Sequence, residues 1–161
     1  MPDSPRVAIL MGSSSDWPTM QRARDVLTDL GVPGEVKVIS AHRKPARLVE
    51  YITDAEARGV RVFIAGAGGA AHIAGVIAAH TTRPVLAVPI KTDLAGGLDS
   101  LLSMVQMPKG IPVGCLATGN DGATNAGILA AQILATHDEA LARRVADHRR
   151  AQAESLSESP E

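Results

Sequence analysis

The strongest constraint on the fold is an alternation repeated along the chain: a short apolar run, a loop of small or polar residues, then apolar positions at helical spacing. Residues 6–11 (Arg-Val-Ala-Ile-Leu-Met) form the first run, almost wholly apolar, as expected of a strand covered on both faces. Gly12-Ser13-Ser14-Ser15-Asp16 breaks it. Trp17, Met20, Ala23, Val26, Leu27 and Leu30 then recur at helical spacing, with Pro18 tolerable in a first turn and Gly31 as the stop. The order returns as a strand over residues 35–39, the loop Ser40-Ala41-His42-Arg43-Lys44, and a helix over about 45–58 closed by Gly59. A third strand over 61–65 runs into a glycine-rich loop and a helix ending near residue 81. Strands over 84–88 and 112–117 follow, and residues 119–136 hold an Ala/Ile/Leu helix. This pattern predicts an α/β fold with a five-stranded parallel sheet and right-handed crossovers, so every strand-to-helix loop leaves by the same edge. Ligands bind such sheets at the carboxyl ends of the strands.

With 161 residues the chain is read as one domain, its core spanning about 6–136. Aromatic residues are only 2%, so Val, Ile, Leu, Met and many Ala must fill the core, which suits close helix-on-sheet packing. The net charge of −1 supplies no general drive toward nucleic acid or an anionic membrane. The lone Cys115 lies in an apolar run and is expected to be a small buried core residue in a reducing compartment. Neither a signal peptide nor a bilayer-spanning apolar stretch is seen, and a cytoplasmic location is expected. Residues 91–110 interrupt the alternation at a length that suggests a lid or a subunit contact. An amphipathic helix is expected over about 138–154, packed on its own sheet or reaching a neighbouring subunit, and a frayed tail over 155–161.

Three loops carry groups suited to chemistry. Ser13, Ser15 and Asp16 sit where a helix begins, and backbone N–H groups and hydroxyls at such a site favour a phosphate. Capping by Ser15 or Asp16 explains part of this composition, but three serines exceed what a cap needs. Asp16 could accept hydrogen bonds from ribose hydroxyls. The loop lacks Gly-Lys-Ser/Thr and so is no nucleoside-triphosphate loop. Ser40 and Ala41 lead into His42 and Arg43, an imidazole able to give and take a proton near neutral pH beside a guanidinium able to clamp a phosphate or carboxylate. In the third loop, Gly66, Ala67, Gly68, Gly69 and Ala70 carry nothing larger than a methyl group, which leaves backbone N–H groups free to face a ligand. The same bareness also fits a tight turn that lets a helix pack closely. Ala71 occupies the third glycine position of the dinucleotide fingerprint, which weakens that reading. His72 stands alone in the bare patch, able to line a pocket or simply to pack. His42, His72 and His80 lack metal-ligand spacing, and no metal is expected.

Together Met11-Gly12-Ser13-Ser14-Ser15-Asp16-Trp17, Ser40-Ala41-His42-Arg43, Ala65-Gly66-Ala67-Gly68-Gly69-Ala70-Ala71-His72 and Asp99-Ser100-Leu101-Leu102-Ser103-Met104-Val105-Gln106-Met107-Pro108 closely resemble the class I N5-carboxyaminoimidazole ribonucleotide mutase family. The resemblance runs in order from about residue 6 to 150. The related class II carboxylases, which use free carbon dioxide, tend to carry Lys after the loop His; Arg43 and residues 68–72 point to class I. The resemblance implies a flavodoxin-like three-layer α/β/α sandwich and an octamer in which the C-terminal helix embraces a neighbour. It also implies a ribonucleotide substrate held by Ser13, Asp16 and Arg43, with His42 as proton carrier and no cofactor. Two departures stand out: residues 90–97 replace a small polar run with Ser and Leu-x-Gly, and Ile73-Ala74-Gly75 replaces Leu-Pro-Gly. Competing readings are a carboxylase that uses free carbon dioxide on aminoimidazole ribonucleotide and a non-catalytic nucleotide-binding protein. Flavin binding is disfavoured because almost no aromatic side chain is available to stack on the ring.

Overall fold

The computed structural model describes residues 4–157. Its elements are β1 (Val7–Met11), a 3-10 turn (Ser14–Asp16), α1 (Trp17–Asp29), β2 (Gly34–Val38), α2 (Pro45–Ala57), β3 (Val62–Ala67), α3 (Ile73–His80), β4 (Val85–Pro89), α4 (Leu98–Val105), β5 (Gly114–Cys115), α5 (Asn120–Ala135) and α6 (Glu139–Glu154). The five strands are all parallel, in the order β2-β1-β3-β4-β5. Strand order therefore reverses at the β1/β3 junction, where Met11 stands opposite Gly66. This is the flavodoxin-like doubly wound arrangement, with helices on both faces.

The apolar runs become central strands because both faces are covered. Ala8 and Leu10 of β1 point into a core with Leu48, Tyr51 and Ile52 of α2, Ile77 of α3 and Met104 of α4. Val7, Ile9 and Met11 point into the opposite core, against Met20, Ala23 and Leu27 of α1 and the alanines of α5. Small residues set the close approach of α1 and α5: a Cβ on Gly127 would lie 2.8 Å from the Ala23 carbonyl oxygen.

Several expectations shift. The fifth strand is only Gly114–Cys115, not 112–117, because at the sheet edge it has a single neighbour, β4. Cys115 is accordingly half-buried, though it packs against the core, and burial pushes its thiol up. Ser13, not Ser15 or Asp16, supplies the cap, its Oγ accepting the Ser15 N–H at 3.2 Å. Asp16 stands at the N-cap of α1 without capping it. The interruption at 91–110 contains a helix, α4, entered through Gly96 and Gly97, which both take positive φ. C-terminal α6 packs on α5 through the buried Leu141, and Asp138 joins it to the sheet by capping Leu141 N–H and pairing with Arg6. Arg144 donates to the Leu30 carbonyl at 2.9 Å. Of the tail, Ser155, Leu156 and Ser157 are exposed, and 158–161 lie outside the described residues. No helix among the described residues is long and apolar enough to cross a membrane.

One polar tie holds edge strand β2 to α2. Glu35 accepts from both terminal nitrogens of Arg58, at 3.0 and 2.6 Å, and from the Tyr51 hydroxyl at 2.7 Å. Burial alone would raise the Glu35 carboxyl, but these hydrogen bonds and the Arg58 charge outweigh it and hold the group below its usual 4.5. A carboxyl lowered on folding contributes stability that is full above its unfolded value and lost as pH falls through the folded one. Urea midpoints between pH 6 and 3 should therefore fall more steeply for the wild type than for Glu35→Gln. Loss of the charged contacts should cost the variant on the order of 1–2 kcal/mol at neutral pH.

Candidate active site

Because β1, β2 and β3 run parallel, the loops that follow them emerge together on the carboxyl edge, astride the β1/β3 reversal. They line a solvent-open cavity of about 460 Å³. The first loop contributes Gly12, Ser13, Ser15 and Asp16, the second Ser40, Ala41, His42 and Arg43, and the third Ala67, Gly68, Ala70 and Ile73. Composition assigns no role to Gly12 or Ile73, although each opens or closes a loop that it marks.

Electrostatics divide the cavity. Arg43 is the cation of the lining, and its approach is set locally: both its backbone N–H (3.2 Å) and Nε (3.4 Å) donate to Ser40 Oγ. Asp16 is the lone carboxylate of the lining, raised by burial and only partly relieved by a hydrogen bond from Ser15. Ser15 shares that one hydroxyl hydrogen with Ser13 Oγ, 2.8 Å away, so the serine loop is tied to itself. An anion is therefore favoured toward Arg43, and hydroxyl donors toward Asp16.

Gly66, Gly69 and His72 lie outside the cavity lining. A Cβ on Gly66 would sit 2.2 Å from Met20 Sδ, so this glycine is there to admit the α1 side chain. The expected row of free N–H groups is also shorter than the composition suggests. The N–H of Ala71 donates to the Gly69 carbonyl (2.8 Å), that of His72 to the Ala70 carbonyl (2.9 Å), and that of Gly69 to Ser100 Oγ (3.0 Å). Gly68 and Ala70 keep their N–H groups free, and both line the cavity.

His72 is turned instead toward His42. Its Nδ1 lies 2.9 Å from His42 Nε2, with the rings edge to face at 88° and centroids 5.0 Å apart. One ring must donate to the other, so the pair shares a hydrogen between two nitrogens and fixes each other's tautomer. Only folding could reveal this contact, because 30 residues separate the two rings. Among the described residues no group of three or more His, Cys, Asp or Glu is arranged to hold a metal ion.

A doubly wound parallel sheet with a cavity at its strand-order reversal makes this a flavodoxin-like α/β protein. The family model for AIR carboxylase matches residues 6–155, and the chain belongs to that family. A relative named N5-carboxyaminoimidazole ribonucleotide mutase from Vibrio parahaemolyticus (serotype O3:K6) is 56% identical over 155 residues, covering 96% of each chain. Another of that name from Escherichia coli (strain K12) is 56% identical over 156 residues, 97% of this chain and 92% of the relative. The crystal structure of Treponema denticola PurE superposes with a TM-score of 0.85 at 28% identity, covering 93% of this chain and 92% of that one.

Proposed function

We propose that this chain is a mutase of purine biosynthesis that moves the carboxylate of N5-carboxyaminoimidazole ribonucleotide from N5 to C4 of the imidazole ring. The observation that supports this reading is the cavity itself, whose lining brings together His42, Arg43, Ser13, Asp16 and the small residues Gly68 and Ala70. Mutase-named relatives at 56% identity over nearly the whole chain support it.

In this mechanism Arg43 and the serine loop grip the phosphate, and Asp16 accepts from ribose hydroxyls. His42 begins as the imidazolium. The N5–carboxylate bond breaks, its electrons return to nitrogen, and His42 protonates that nitrogen, leaving an aminoimidazole and carbon dioxide in the cavity. C4 of the electron-rich ring then attacks carbon dioxide. Neutral His42 removes the C4 proton, which restores both the aromatic ring and the imidazolium, so the proton given equals the proton taken. With Nε2 held against His72, Nδ1 is the His42 nitrogen left to exchange protons with the ligand. Carbon dioxide hydrates or escapes unless it is confined, which gives the small wall its purpose.

The same reading includes assembly of several copies, an octamer by the resemblance, and a cytoplasmic location for a reaction on a soluble charged metabolite. Supporting assembly, Leu94, Leu98, Leu102 and Val105 form one exposed apolar stripe running into and along α4. Leu102→Asp should lower the native mass measured by light scattering.

The decisive experiment supplies purified substrate without added bicarbonate and follows the 4-carboxy product. Turnover is the expected result. A requirement for added bicarbonate would convert the reading to direct carboxylation, and failure to turn over under either condition would reject it for a binding role.

A further inference from the structure

Helix α4 contributes no residue to the cavity lining, yet it is hydrogen-bonded to the wall of small residues. Ser100 is a fully buried polar side chain on that helix. Buried hydroxyls persist where both their donor and acceptor capacities are used, and here they are. Ser100 Oγ accepts the Gly69 N–H at 3.0 Å and donates to the Ile90 carbonyl at 2.8 Å. One turn later on the same helix, Ser103 Oγ shares its one hydrogen between the Gly69 carbonyl at 3.0 Å and the Asp99 carbonyl at 2.8 Å. Both polar groups of a single loop peptide unit pair are thus taken by two side chains of one helix. Gly69 is also the residue of its loop with positive φ (+68°), so it is where the chain reverses and where its orientation is set.

We infer that Ser100 and Ser103 are positioning residues that clamp Gly69, thereby fixing where the Gly68 and Ala70 N–H groups face the cavity and where His72 meets His42. The clamp is a lever of short arms. Gly68 and Ala70 flank the clamped residue, and the Gly69 carbonyl also accepts from Ala71 N–H, the residue before His72. Thr92 supports the far side, its Oγ1 donating to Asp99 Oδ1 at 2.5 Å while its methyl group would lie 3.3 Å from a Cβ on Gly68. Ile90 and Thr92 therefore back the wall directly. Releasing the clamp lets the wall move while leaving the lining residues chemically intact.

Its effect on turnover rests on the mutase reading; the geometry does not. In the full-length protein, hydrogen exchange followed by mass spectrometry should show protection in a peptide spanning residues 66–72. Ser100→Ala should speed exchange there by about tenfold or more, while leaving β1 and β4 unchanged. In turnover, Ser100→Ala and Ser103→Ala should raise the share of reactions that end as free aminoimidazole ribonucleotide by about threefold or more, with KM changed less than about twofold. Ser103→Thr, which keeps the hydroxyl, should restore the wild-type share. If Ser100→Ala does not fold, Ser103→Ala, a half-buried position, carries both measurements. Wild-type exchange and partitioning in a folded alanine variant would overturn the inference. A wild type that forms no 4-carboxy product fails the mutase reading instead, and exchange at residues 66–72 then decides the clamp alone.

Discussion

His42→Asn is expected to lower kcat by ~10²–10⁴, the range that a positioned general acid–base contributes, with KM changed by much less. Asparagine keeps hydrogen-bonding capacity but cannot carry a proton. In the proposed pose the other charged groups of the lining are already engaged, Arg43 with the phosphate and Asp16 with the ribose hydroxyls. His72 does not line the cavity, and its Nδ1 contact is with the ring that the substitution removes. Steady-state rates measured with substrate over a range of concentrations would separate kcat from KM. If the variant keeps more than a tenth of the wild-type kcat, the proton travels by another group. Binding measured by calorimetry with a non-reacting ribonucleotide monophosphate should persist, since the phosphate grip lies in Arg43 and the serine loop.

Gly122→Ala should destabilise the fold by about 3 kcal/mol or more, although helix propensity alone predicts a gain of about 1 kcal/mol. The added methyl carbon would lie 1.5 Å from the Ala117 carbonyl oxygen and 2.5 Å from its carbon. Both are backbone atoms, in the turn that joins β5 to α5 through Gly119 at φ +83°, so no rotamer change relieves the clash. Either the first turn of α5 shifts or the β5 edge opens. Against a total stability of about 5–15 kcal/mol that is a large share. Gly12→Ala makes the control, because nothing lies within 4 Å of a Cβ there. Urea unfolding of the two variants side by side should separate them widely, and a Gly122→Ala protein as stable as wild type would mean that the turn is not held as described.

The alternation of apolar runs and helical spacing was enough to read the parallel α/β sheet, since strands buried on both faces must be apolar throughout and their connections must cross over. The pattern is less informative where that logic weakens. β5 shrank to Gly114–Cys115 because an edge strand needs only one partner, and α4 was read as an interruption because it is eight residues long and enters through two glycines of positive φ. The motifs also marked the three loops, because Ser, His, Arg and Gly clusters at strand ends differ in composition from everything around them.

What the order of residues determined by itself was which segments become strands, which loops share an edge, and the resemblance to one enzyme family. Tertiary structure alone decided the partners within that edge. Gly66 turned to Met20, Gly69 was bound at both its polar groups by α4, and His72 was laid against His42. The physical reason is range. Periodicity and turn chemistry act over a few neighbouring residues, whereas these contacts join positions some 30 or more apart or across the sheet, and exist only once strand order has brought them together.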